Sequence, residues 1–266
     1  MENMPLIWYF CFGGIFLFID THCHLSNEDY DDINLILKEN LNNGVSKIII
    51  SACTKDTFDE SIFLSENNSC IYLTLGYHPS EADFISDSDL LLLEQKLLSS
   101  KVVGLGEIGL DYHYGKENKE KQIELFRKQL DMAVELDLPV VIHSRDATLD
   151  TINILKEYKL TGVIHCFSGS LETAKKYISM GYKLGIGGVV TFSNSNLPSV
   201  VSVVGVENIV LETDSPYLAP VPYRGKQNSS KYIPIIAKKI AEICDMSIND
   251  VERITTYNAA CLFDLD

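Results

Sequence analysis

From about residue 16 the chain repeats a two-part pattern, and that pattern restricts its fold more than anything else in the sequence. A short apolar, β-branched run is followed by an amphipathic stretch, with a period of roughly 25 to 35 residues. The runs are Phe16–Ile19, Val45–Ser51, Ile71–Gly76, Val102–Gly106, Pro139–His143, Gly162–His165, Tyr182–Gly187 and Asn208–Glu212. Near-continuous apolar strands alternating with helices indicate a parallel sheet buried by helices on its outer side. Helical patterns lie at Tyr30–Asn43, Lys55–Glu66, Asp87–Ser99, Lys119–Leu136, Thr148–Tyr158 and Leu171–Met180. In the Lys119–Leu136 stretch, Ile123, Phe126, Leu130 and Val134 share one face. Eight such units predict a (β/α)8 TIM barrel of the α/β class. An open doubly wound sheet is the alternative, but no Gly-rich phosphate loop follows the first run. From Lys231 the pattern changes to extra C-terminal helices over Ile233–Ile243, Ser247–Ile254 and Thr255–Phe263, expected to close the outer layer. Ser247 followed by Asp250 suits an N-cap.

The N-terminus departs from this pattern. Leu6 to Ile19 carries no charge, yet it is too short to span a bilayer, which takes about 20 residues. It lacks the basic start of a secretory signal, since Glu2 is the one charge before Asp20. Residues 1–16 are expected to be a non-native or flexible hydrophobic extension, and residues 17–266 a single hydrolase domain. Gly13-Gly14 can be encoded by a ribosome-binding sequence, and Leu17 by the alternative start codon TTG. The rival expectation is a short hydrophobic anchor. The 22 Lys and Arg against 37 Asp and Glu leave a net charge of −15. Bulk charge therefore cannot hold this protein on nucleic acid or anionic lipid. A phosphate substrate stays open, because a metal site brings its own positive charge. Seven cysteines without a C-x-x-C pair argue against a zinc ribbon, a thioredoxin motif or a disulfide framework. They suit reduced thiols in the cytoplasm, with Cys23 and Cys166 as small buried fillers.

Chemistry enters where the strands end. The first runs into Asp20-Thr21-His22-Cys23-His24, the fourth into Gly106-Glu107, the fifth into His143, the sixth into His165, and the eighth into Leu211-Glu212-Thr213-Asp214. In a barrel these ends share one face, where the active sites of this architecture lie. An isolated histidine at a strand end is ordinarily a hydrogen-bonded core residue, and His-x-His alone is weak. Alternation nevertheless puts both imidazoles of His22 and His24 on one side, and five strands deliver ligand-type residues to the same rim. Six ligands exceed the four that close a structural zinc. They suit two divalent cations with one bridging carboxylate and open positions, as in metal-assisted hydrolysis. Ser168 follows His165, but no histidine–acid pair is dedicated to activating it.

Several motifs resemble the TatD family of metal-dependent deoxyribonucleases. They are Asp20-Thr21-His22-Cys23-His24-Leu25, Gly76-Tyr77-His78-Pro79, and Gly106-Glu107-Ile108-Gly109-Leu110-Asp111-Tyr112. Further matches are the segment from Pro139 to Ala147, His165-Cys166-Phe167-Ser168-Gly169, and the segment from Glu212 to Leu218. The resemblance runs from about residue 17 to the end, including Tyr223-Arg224-Gly225-Lys226 and Asn258-Ala259-Ala260. It implies that His22, His24 and Asp214 hold a first metal, that His143 and His165 hold a second, and that Glu107 bridges them. It also implies that Asp214 doubles as the base orienting the attacking water, so that Glu107 and Asp214 are the catalytic carboxylates. The family is described as magnesium-dependent, whereas four imidazoles favour zinc, manganese or another transition ion. The cofactor expected is two divalent cations per subunit, Mg, Mn or Zn.

Around these residues the expected substrate contacts are His78, Tyr112, Arg145, Arg224, Lys226 and Asn228, all on candidate loops of the rim. A guanidinium at Arg145 could fork onto a phosphate, unless it pairs with Asp146. His78 could instead serve packing, and Tyr112 could instead cap the barrel mouth. His113 is expected to face solvent. The ligand pattern alone implies hydrolysis. The resemblance implies a 3′-to-5′ exonuclease acting on DNA, single-stranded or at strand ends, without an obligate protein partner or a membrane. A metallo-deacylase or amidohydrolase acting on an amide or ester is the alternative, followed by a non-catalytic metal-binding protein.

Overall fold

The computed structural model describes residues 17–265; the expectations for residues 1–16 fall outside that range. Eight parallel strands follow one another in the sheet in chain order. They are β1 (Phe18–Cys23), β2 (Val45–Ala52), β3 (Ile71–Leu75), β4 (Val102–Asp111), β5 (Val140–Arg145), β6 (Gly162–Ile164), β7 (Tyr182–Ile186) and β8 (Ile209–Leu211). Helices α1 (Ile33–Asn42), α2 (Lys55–Asn67), α3 (Asp87–Lys96), α4 (Lys119–Glu135), α5 (Thr148–Leu155), α6 (Leu171–Ser179) and α7 (Leu197–Val204) intervene, and α8 (Ile233–Cys244) and α9 (Ile248–Phe263) complete the chain. The chain thus folds as the expected TIM barrel. No described helix is long and apolar enough to cross a membrane.

The last seam, between β1 and β8, closes at its C-terminal end. Asp214 N–H donates to His22 O at 3.0 Å and His24 N–H donates to Ser215 O at 2.7 Å. Side chains reinforce it: Thr21 Oγ1 donates to Leu211 O at 3.0 Å, and Thr213 Oγ1 to Asp20 Oδ2 at 2.6 Å. The fully buried Asp20 carboxyl is pushed up to about 7 by burial, against its hydrogen bonds from Thr213, Ser230 and His22.

Two apolar cores result. The larger joins strands to surrounding helices and includes Ile233, Ile236, Ala237 and Ile240 of α8. The smaller gathers Ile19, Ile49, Tyr72, Val141, Val163 and Val210 from six strands against Ala259, Phe263 and Leu265. Only α8 therefore joins the outer layer as expected; α9 seals the interior. The two last segments of helical pattern form this one continuous α9, which starts at the Ser247 cap, whose hydroxyl accepts Asp250 N–H at 3.1 Å.

Helix α4 also differs from expectation. Its buried face is Gln122, Leu125, Phe126, Gln129, Leu130 and Ala133, whereas Val134 is exposed. The two glutamines, seven residues apart, belong inside because they hydrogen-bond backbone at the C-terminal ends of the strands. Gln129 takes Tyr77 N–H at 2.7 Å and donates to Tyr77 O at 3.0 Å. Gln122 does the same for Asp111, at 2.9 and 2.8 Å. Both partners lie on the rim that carries the histidines.

Candidate metal centre

The strand ends bring His22, His24, Glu107, His143, His165 and Asp214 together. Glu107 is buried at their centre, and its two oxygens face different histidine pairs. Oε2 lies 3.5 Å from His22 Nε2 and 4.0 Å from His24 Nε2. Oε1 lies 2.6 Å from His143 Nδ1 and 3.6 Å from His165 Nε2. Asp214 Oδ1 is 3.7, 3.5 and 3.8 Å from Nε2 of His22, His24 and His165. Three overlapping triads, His22–His24–Glu107, His22–His165–Asp214 and Glu107–His143–His165, could each hold a metal ion.

Surrounding groups aim these donors. His24 Nδ1 donates to Ser51 O at 3.0 Å, which leaves Nε2 as the nitrogen that faces inward. His165 Nδ1 faces Glu212 Oε1 at 3.3 Å, and that oxygen also accepts Cys166 N–H at 2.5 Å. Glu212 is fully buried, and only the absence of a side chain at Gly185 leaves room for its carboxylate: a Cβ there would sit 2.1 Å from Oε2. His143 Nε2 reaches Asp111 Oδ2 at 3.1 Å. Asp111, Glu212 and Ser51 were not among the expected site residues. Alternation could have found Glu212, which shares the parity of Asp214; the reach of Asp111 across to β5 is a tertiary fact.

Electrostatics bind the cluster to positive charge. Burial alone would raise Glu107, but His165 and the hydrogen bonds of His143 and His22 hold it well below the usual carboxylate range. Burial opposes charging of His143, yet Asp111 and Glu107 lift it to about 9. Burial likewise opposes His165, and Glu212, Glu107 and Asp214 lift it to about 10. The donor spacing fits a cation. Two nitrogens bound to one tetrahedral ion at about 2.0–2.1 Å lie about 3.3 Å apart, and the Nε2 atoms of His22 and His24 are 3.4 Å apart. Among the described residues the buried Nδ1 of His22 has no hydrogen-bond partner.

The surrounding residues divide. His78 Nε2 is 3.9 Å from Glu107 Oε1, and its Nδ1 accepts Ser80 N–H at 3.1 Å. A neutral His78 therefore carries its proton on Nε2 and presents a donor, although it also lies in a triad with Asp111 and His143. Arg145 is exposed and lies over the Tyr114 ring at 5.6 Å, while Asp146 pairs with the exposed His113 at 3.0 Å. Arg224 is exposed over the Phe192 ring at 4.2 Å, and Lys226 is exposed 5.8 Å from the centre of the Tyr223 ring. Tyr112 and Asn228 are buried, and for Tyr112 the contacts favour the expected alternative of capping the mouth. Tyr112 is buried and its hydroxyl donates to Asp150 Oδ2 at 2.9 Å, which makes it a packed support of the mouth. Asn228 is 0 % exposed, and its amide donates to Thr213 O at 2.8 Å and Tyr217 O at 2.6 Å. It shapes the loop after β8 and has no surface for a substrate.

The family model described as TatD related DNase matches residues 19–264. YabD of Bacillus subtilis, called an uncharacterized metal-dependent hydrolase, is 38 % identical over 255 residues, covering 94 % of this chain and 100 % of YabD. YcfH of Escherichia coli, described in the same words, is 35 % identical over 256 residues, covering 93 % and 96 % of the two chains. The crystal structure of YjjV, a TatD homologue from Escherichia coli, superposes with a TM-score of 0.88 at 32 % identity, covering 94 % of this chain and 98 % of that one. Matched along the whole barrel, the chain is a metal-dependent hydrolase of the TatD family.

Proposed function

We propose that this protein is a deoxyribonuclease that removes nucleotides from 3′ ends with two divalent cations, Mg, Mn or Zn, at the Glu107 cluster. The carrying observation is the division of Glu107, with Oε2 toward His22 and His24 and Oε1 toward His143 and His165. That division supports two cation subsites sharing one carboxylate, with His22, His24 and Asp214 on one and His143 and His165 on the other. Two bound cations would supply a nucleophile from water at neutral pH and offset charge on the phosphodiester.

The chain's own residues do the rest. Burial favours a protonated Asp214, but His165 and the bond to His24 hold it below the usual range, so it is ionised and able to orient and deprotonate water. His78, with its donor proton on Nε2, is positioned for a phosphate or leaving-group oxygen. Arg145 would fork onto the phosphate, and Arg224 and Lys226 would follow the strand backbone. Residues 17–266 would carry this activity as one domain, with residues 1–16 an addition to it. The described cysteines are all free thiols, which supports work in the cytoplasm.

The test is hydrolysis of a 3′-labelled single-stranded DNA oligonucleotide by metal-stripped protein, titrated with Mg, Mn and Zn beside an Asp214→Asn control. Metal-dependent loss of 3′ nucleotides, absent in the control, is expected. Turnover of an amide or ester panel without DNA cleavage would overturn the nuclease and leave a metallo-deacylase.

A further inference from the structure

The loop after β8 holds an aromatic ring out in solvent beside the metal donors. Tyr217 is 60 % exposed, and its ring centre lies 6.2 Å from that of His24, with the two planes at 65°. The backbone that mounts this ring is fixed. Tyr217 N–H donates to Asp214 O at 2.9 Å. The carbonyl of the next residue, Leu218, rests against Gly188, where a Cβ would come within 2.2 Å of it, and Leu218 itself takes a left-handed φ of 54°. A non-glycine residue keeps that conformation only where its surroundings over-determine it. The mount is therefore rigid while the ring face is open, an arrangement that favours a flat group able to cover it. Other exposed rings are set differently: Phe63 lies on α2, and Tyr114 faces His113 and Arg145.

We propose that Tyr217 stacks the base of the 3′-terminal nucleotide, so that the site takes hold of a nucleotide by its base face as well as by its phosphate. This rests on the nuclease reading above. A phosphate at the cluster carries its base to the rim, because one sugar joins the two. The side is set by the residues already placed. His78, the donor for a leaving-group oxygen, faces Glu107 Oε1 of the second subsite, whereas Tyr217 stands against His24 of the first. The strand that keeps its 3′ oxygen lies toward His78, which leaves the released nucleotide at Tyr217. Charge makes such a contact useful here. With a net charge of −15 the protein has no electrostatic funnel for a strand, and stacking on an aromatic ring needs none. It also tolerates any sequence, since every base has a π-face.

Two single-stranded oligonucleotides test the contact, alike except that one ends in a 3′ adenine nucleotide and the other in a base-free tetrahydrofuran analogue. Initial rates of removal of the last residue are measured with manganese-loaded wild type, Tyr217→Ala, Tyr217→Phe and Phe63→Ala. Stacking that is equal in ground and transition states acts on KM and leaves kcat alone. Tyr217→Ala should raise KM on the adenine-ended strand by about 5- to 150-fold, the range that corresponds to one stacked base, and leave KM on the base-free strand within about twofold of wild type. Tyr217→Phe should keep the preference for the base, and Phe63→Ala should match wild type on both strands. An equal loss on both strands, or a fall in kcat alone, would overturn the stacking role and make Tyr217 a support of the Asp214 loop. Equal KM for the two strands in wild type would also overturn it, whether or not the variants fold, while leaving the nuclease standing. A wild type that cuts neither strand would overturn the nuclease and this role together.

Discussion

Replacing Asn228 by Ala separates a residue that touches substrate from one that holds the loop carrying Asp214. The Asn228 side chain lies wholly inside the protein. Its amide donates to Thr213 O at 2.8 Å and to Tyr217 O at 2.6 Å, and its Oδ1 accepts Ser229 N–H at 2.9 Å. Truncation leaves the buried Thr213 carbonyl, the part-buried Tyr217 carbonyl and the Ser229 amide without these partners. Each orphaned buried group costs about 1–3 kcal/mol, and relaxation recovers part of the sum. A net loss of about 3 kcal/mol is expected, or roughly 6–12 °C in melting temperature for a chain of this size. Thermal unfolding followed by circular dichroism measures it, with kcat and KM taken at a temperature where the variant is folded. Because Thr213 adjoins Asp214, kcat should fall with KM little changed. A melting temperature within about 2 °C of wild type, with KM raised, would refute the structural assignment and restore Asn228 to the substrate.

Three further outcomes are expected. Loading divalent cations at pH 7 should release protons, because His143 and His165 are lifted to about 9 and 10 and a ligating nitrogen must shed its proton; calorimetry in buffers of different ionisation enthalpy should show the release fading as pH rises through those values. His78→Ala should lower kcat by roughly 10²-fold, the scale of losing one donor to a reacting oxygen, with metal content by elemental analysis and melting temperature unchanged. Gln129→Leu should cost about 2–4 kcal/mol in urea unfolding, since it strands both the N–H and the C=O of buried Tyr77, and it should also reduce activity through the adjacent His78.

The barrel was legible because its physics is local and periodic. Strands buried on both faces read as unbroken apolar runs, and the observed β2, Val45–Ala52, and β3, Ile71–Leu75, differ from the sequence reading by one residue. The His22–His24 pair and the convergence of Glu107, His143, His165 and Asp214 were equally readable, since parity within a strand and a common strand direction set both. Contacts between elements were not. Nothing local says that Gln122 and Gln129 turn inward, because they are buried only to satisfy the backbone of Asp111 and Tyr77. Nor does local sequence reveal that Asn228 is sealed behind the β8 loop, or that Tyr112 supports the mouth through Asp150. The sequence by itself determined the strand count and the donor set, through hydrophobic periodicity and the residues at strand ends. Only the tertiary structure decided the division of Glu107 between two histidine pairs and the burial of Asn228, because those depend on how separate elements meet in space.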